Sequence, residues 1–197
     1  MLFDEFPDGT RVLGGAPFNV AWHLRGFGAD PAFISAVGFD KAGHDLLQRM
    51  EEWGLSKEGV QVDRERSTGR VKVAFEEGEN RYEIASGQAW DFIDADAAAA
   101  SLPAAVRFVY HGTLAMRSET SRRALERVLD RGIPALVDLN LREPWSTPEN
   151  VRAAMAGARW LKINEAELAQ VTGRGVASIE DCERAARELA EAHGIHR

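Results

Sequence analysis

Hydrophobic positions along this chain follow two rhythms. Short runs rich in Val, Ile, Leu and Phe, at Pro31 to Val37, Arg107 to His111, Ala135 to Asn140 and Arg159 to Ile163, are separated by longer stretches of helical period. Strand-like runs spaced in this way predict parallel strands joined by helices on both faces of a sheet, an α/β fold. After Gly14 and Gly15 a helix is expected, with Pro17 in its first turn and Gly26 and Gly28 at its end. A second, over Lys41 to Trp53, sets Leu46, Leu47, Met50 and Trp53 on one side. The period resumes near Ala95, and the last helix spans Ile179 to Ala192, ending at His193 and Gly194.

Two segments depart from this rhythm. Leu2 to Phe6 and Thr10 to Leu13 read as short strands about a Pro7, Asp8, Gly9 turn. From Gly69, RVKVAFE and RYEIA alternate with period two across Glu77, Gly78 and Glu79, which predicts an antiparallel hairpin. Its apolar face would be Val71, Val73, Phe75, Tyr82 and Ile84. A lone hairpin is unstable in water, so this one must pack on something.

Composition narrows the function. The 197 residues are 45% hydrophobic and 28% charged, ordinary for a globular chain with one core and no internal repeat. Twenty-four Lys plus Arg against 31 Asp plus Glu leave a net charge of −7 without a basic tract, which argues against a nucleic-acid partner. No run approaches a membrane span, and MLFDEFPDG carries acids where a secretion signal carries cations. With one cysteine, Cys182, these features suit a cytoplasmic protein without a membrane partner. Phosphate loops of the G-x-x-x-x-G-K type, H-E-x-x-H and G-x-S-x-G are all absent.

Three segments could carry chemistry. In GGAPFN, Gly14 to Asn19, two glycines open the backbone to close approach and Asn19 offers a donor and an acceptor to a polyol. A tight turn with Asn19 tidying the helix start explains the same residues. Asp4, on the strand before, could accept two hydroxyls from the same ligand, or be an exposed edge charge. In DLNLR, strand alternation would put Asp138, Asn140 and Arg142 on one side at the carboxyl end of a parallel strand, where open α/β sheets bind ligands. An internal Asp–Arg pair is the competing explanation. In NEAE, Asn164 and Glu167 form either a capping box or a carboxylate that holds the water shell of Mg²⁺ near a phosphate.

Together and in this order, GGAPFNVAWHL, SAVGFDKAGHDLLQRMEEWGL, DLNLREPW and KINEAEL followed by TG resemble the PfkB, or ribokinase-like, carbohydrate kinases in their fructokinase-like branch. The resemblance spans essentially the whole chain. It implies a doubly wound, mostly parallel sheet flanked by helices, with a small β lid from about 1–15 and 69–85. It also implies ATP and Mg²⁺ as cofactors and phosphoryl transfer to a sugar hydroxyl. Asp4, Gly14, Gly15 and Asn19 match the sugar contacts, and Arg142 lies near substrate or transferred phosphoryl. Asp138, Asn140, Asn164 and Glu167 match the phosphate or nucleotide vicinity, with Glu167 on the metal through water.

The family's G-A-G-D segment, which carries the anion hole and catalytic aspartate, has no counterpart among these residues. The chain is therefore expected to be a partial kinase domain, with the C-terminal part of the fold missing, and to be inactive alone. A non-catalytic sugar-binding fragment, a homodimer paired through the lid, and 2-keto-3-deoxygluconate or a nucleoside as acceptor all stay open.

Overall fold

Lys41–Trp53 folds as the helix that its apolar spacing predicts because both of its ends are signalled. Asp40 accepts the Gly43 N–H at 2.8 Å, and Gly54 closes the last turn in the left-handed region at φ 72°. Leu46 and Met50 on its inner face are fully buried, each stabilising by about 1.5–3 kcal/mol. Trp53 instead stays 43% exposed and stacks on Trp22 with the rings 4.9 Å apart.

These features come from a computed structural model that describes residues 1–76 and 79–196, and side chains outside 75–81. The chain divides into two compact units, Met1–Ala104 and Ala105–Arg197. Among the described residues no helix is long and apolar enough to cross a membrane.

The first unit contains β1 (Leu2–Glu5), β2 (Arg11–Gly14), α1 (Ala16–Gly26), β3 (Ser35–Gly38) and α2 (Lys41–Trp53), followed by β4 (Val60–Asp63), β5 (Gly69–Glu76), β6 (Glu79–Ile84) and α3 (Ala95–Ala100). The hairpin does find a partner. β5 pairs in parallel with β1, whose other side pairs antiparallel with β2, giving a four-stranded lid sheet in the order β2-β1-β5-β6. Opposite charges face each other across its strands, Glu5 with Arg11 at 2.9 Å and Lys72 with Glu83 at 3.9 Å. Val71 and Val73 are buried as expected, whereas Tyr82 is 43% exposed. The expected turn at Glu77 and Gly78, and the Phe75 side chain, lie outside what is described; Glu79 belongs to β6, opposite Glu76.

Other boundaries shift for local reasons. The strand expected over Pro31 to Val37 is observed over Ser35–Gly38, where it pairs in parallel with β4. β4 itself, VQVD, is too short and too half-exposed to stand out in sequence. Phe18, Phe33, Val37, Leu46, Met50 and Leu55 form the core of this unit.

The second unit contains β7 (Val109–Gly112), α4 (Glu119–Leu129), β8 (Ala135–Asp138), α5 (Pro148–Met155), β9 (Ala158–Lys162), α6 (Glu165–Thr172) and α7 (Ile179–His193). Its three strands are parallel in the order β7-β8-β9, joined through helices as the sequence pattern predicts. Gly112, Asp138 and Lys162 end the three strands side by side. Val137, Leu139, Met155, Leu168 and Leu189 are among the residues filling its core.

His111 in β7 is 4% exposed, and burial pushes its imidazole down to about 4. The unfolded chain, with the ordinary value of 6.5, binds the proton more tightly, so stability falls as pH drops from about 6.5 to 4. Melting curves across this window should show a loss to which His111 contributes up to ~3 kcal/mol, and His111→Phe should remove that part.

Candidate functional site

In the first unit the lid sheet brings Asp4 and the glycine pair together. β1 has a strand on each side, so Asp4 is not the exposed edge charge that sequence left open. Its carboxylate lies so close to Gly14 that a Cβ there would collide with Oδ2. Gly15 does different work, taking φ 101° between β2 and α1. Pro17 follows as the second helical residue, where no N–H is required. One turn into α1, Asn19 donates its backbone N–H to Gly15 O at 3.0 Å and leaves its side chain exposed.

Burial raises the pKa of Asp4 above the usual carboxylate value. A half-buried carboxylate in this condition gains from a ligand that donates hydrogen bonds, as vicinal hydroxyls do. The structure thus brings Asp4 against Gly14, with Gly15 and Asn19 following at the start of α1.

The base of this sheet is held by Asp40. Besides capping α2, its carboxylate accepts the Thr68 hydroxyl at 2.7 Å and the Thr68 N–H at 2.9 Å. Desolvation pulls its pKa up, but the Thr68 and Gly43 donors and nearby Arg70 hold it below the usual value. The sequence pattern marks Asp40 but does not single out Thr68, whose partner lies 28 residues away.

In the second unit the DLNLR segment does not continue as a strand. β8 ends at Asp138, and Asn140 adopts φ 42°, which breaks the alternation expected to align Asp138, Asn140 and Arg142. Asp138 accepts the Tyr110 hydroxyl at 2.7 Å and Lys162 Nζ at 2.9 and 3.0 Å. Burial and the Asp138 charge push the Tyr110 phenol up. Arg142 donates from its guanidinium to Leu141 O at 2.8 Å.

The capping box at NEAE is formed in full. Asn164 Oδ1 accepts the Glu167 N–H at 2.9 Å and Glu167 Oε2 accepts the Asn164 N–H at 3.0 Å. Glu167, 7% exposed, also accepts the Leu141 N–H through Oε1 at 2.8 Å, so it ties α6 to the loop after β8. Among the described residues no group of three or more His, Cys, Asp or Glu is placed to hold a metal directly. At the same edge Lys162 leaves β9 with a 69% exposed side chain whose ammonium is paired with Asp138. Sequence reading missed Lys162; its signal was a lysine at a strand end two residues before Asn164.

A profile described as pfkB family carbohydrate kinase matches residues 4–196. The chain is 29% identical over 191 residues to Fructokinase-1 of Zea mays, covering 90% of this chain and 58% of that protein. It is 27% identical to Probable fructokinase-3 of Arabidopsis thaliana, covering 85% of this chain and 52% of the relative. Among solved structures, a sugar kinase from Pyrococcus horikoshii in complex with ATP superposes with a TM-score of 0.80 at 20% identity, covering 89% of this chain and 64% of that one. Fructokinase from Vibrio cholerae in a fructose, ADP and calcium ion bound form gives 0.77 at 23% identity, covering 95% and 65%. These likenesses show a ribokinase-like fold. The chain spans little more than half the length of the curated relatives it matches.

Because the folded state raises the Asp4 pKa, ionised Asp4 costs stability above that pKa, and the cost disappears as pH falls through it. Asp4→Asn should therefore raise the melting temperature at pH 7 and lose that advantage near pH 3, in paired thermal melts of the two proteins.

Proposed function

The chain belongs to the pfkB family of carbohydrate kinases, and we propose that it is the sugar-binding and phosphate-facing part of a kinase that transfers a phosphoryl group from ATP to a hydroxyl of a neutral hexose such as fructose. The observation that carries this reading is the half-buried Asp4 carboxylate held against Gly14 beside the start of α1. A carboxylate there accepts two sugar hydroxyls, and Asn19 adds a donor and an acceptor nearby. The fructose, ADP and calcium ion bound relative from Vibrio cholerae supports the choice of sugar and nucleotide.

At the carboxyl edge of β7-β8-β9, Lys162 and Arg142 supply positive charge for nucleotide phosphates or the transferred group. Asp138 fixes the ammonium, and Glu167 fixes the loop that carries Arg142. Mg²⁺, held near Glu167 through water, would neutralise phosphate charge during the reaction. Phosphoryl transfer also needs a base for the sugar hydroxyl. No G-A-G-D segment occurs among these 197 residues, so the reading assigns them binding and orientation, not proton transfer.

Calorimetric titration across fructose, glucose, ribose and 2-keto-3-deoxygluconate should show binding strongest for fructose. Asp4→Ala should weaken it at least ~10-fold, the loss of a charge-assisted hydrogen bond. Gly14→Ala should do the same with little change in melting temperature, because the colliding atom is the movable end of Asp4. With ATP and Mg²⁺ added, no sugar phosphate should form. Sustained turnover would overturn the assignment to binding alone, and unchanged affinity in Asp4→Ala would overturn the sugar site.

A further inference from the structure

We propose that Thr68 is a positioning residue for the sugar site: its buried hydroxyl, gripped by Asp40, latches the base of the lid sheet and thereby sets where the Asp4 carboxylate stands. The ligand in this inference rests on the sugar-kinase reading above; the latch rests on geometry alone.

Thr68 is 1% exposed and is bonded at both of its polar ends. Its hydroxyl donates to Asp40 Oδ1 at 2.7 Å and accepts the Gly38 N–H at 2.9 Å, while its own N–H donates to Asp40 Oδ2 at 2.9 Å. One threonine therefore joins the end of β3, the cap of α2 and the residue immediately before β5. The packing leaves no slack, since a Cβ on Gly43 would stand 2.9 Å from the Thr68 hydroxyl oxygen.

The segment leading into Thr68 is tied at its other end as well. Asp63, the last residue of β4, accepts the N–H groups of Glu65 and Arg66 at 2.7 and 3.0 Å and the Arg66 guanidinium at 2.9 Å. That guanidinium lies 3.6 Å from the centre of the Phe92 ring. Residues 63–68 thus run from one carboxylate to another, and β5 leaves from a fixed point.

β5 itself connects this point to the site. Gly69 opens the strand opposite Leu2, and Val71 lies opposite Asp4 in the parallel ladder between β5 and β1. A displacement of Thr68 is carried through that ladder to Asp4, which lies opposite the third residue after it. Thr68 need not touch the ligand to decide how well the carboxylate meets it. Valine has nearly the shape of threonine but lacks the hydroxyl, whereas serine retains it.

The test compares wild type, Thr68→Val and Thr68→Ser by amide hydrogen exchange without ligand and by calorimetric titration with fructose. Thr68→Val should accelerate exchange at backbone amides of β1 and β5 about tenfold, leave β7 to β9 unchanged, and weaken fructose binding about tenfold. Thr68→Ser should restore both. If Thr68→Val does not fold, Asp40→Asn, which keeps one acceptor for the α2 cap, should show the same local acceleration. A uniform acceleration across both units, or a lower melting temperature with lid exchange and fructose affinity unchanged, would reduce Thr68 to ordinary packing and overturn the latch. If wild type binds no fructose, the sugar reading fails while the exchange data still decide the latch.

Discussion

The carboxylate of Asp40 is the constraint on which the first unit depends. It accepts three hydrogen bonds, from the Gly43 N–H, the Thr68 N–H and the Thr68 hydroxyl, and these belong to two segments far apart in sequence. A helix cap needs only the first. The other two convert a local device into a long-range one, because the carboxylate whose Oδ1 starts α2 also holds the entry to β5 through both of its oxygens. α2 is in turn seated in the core by Leu46 and Met50, against which Phe3 of β1 and Leu13 of β2 also pack, so this charged group adds a polar anchor to the apolar packing of the lid sheet.

The second unit uses the same device with different residues. Glu167 closes the capping box of α6 and with its remaining oxygen holds the Leu141 N–H, so one carboxylate joins a helix start to the loop after β8. Both interpretations of NEAE offered by sequence therefore concern one side chain with more than one task. Its structural work is visible; a role on the water shell of a metal would be added to that work, since the carboxylate is already committed to two backbone N–H groups.

Legibility followed the range of each interaction. The α2 helix was readable to the residue, because its cap, apolar stripe and terminal glycine all lie within a few positions of one another. The hairpin was readable as two antiparallel strands, since RVKVAFE and RYEIA alternate, but its register was not, because Glu79 belongs to β6 opposite Glu76 and not to the turn. The role of Gly14 was only half readable. That a glycine stood there was plain, but the reason is the Asp4 carboxylate on the neighbouring strand. DLNLR misled for a related reason. Its alternation is that of a strand, yet β8 stops at Asp138 and Asn140 turns left-handed, and the Leu141 N–H bonds to Glu167, 26 residues further on. Thr68 and Lys162 were missed because each acquires meaning only from a carboxylate more than twenty residues away.

The carboxylates differ in how far the fold itself satisfies them. At Asp40 and Asp63 desolvation raises the pKa, yet protein N–H and O–H donors reverse it and the net shift is downward. Those groups are satisfied within the fold. At Asp4 desolvation prevails and the net shift is upward. Burial has removed water from this carboxylate without an equivalent return from the protein, and the free energy that a ligand hydroxyl would recover remains available. The ladder of β1 with β2 and β5 carries Asp4, and the entry to β5 is fastened at Thr68, so the satisfied carboxylate at Asp40 and the half-buried one at Asp4 belong to one connected arrangement.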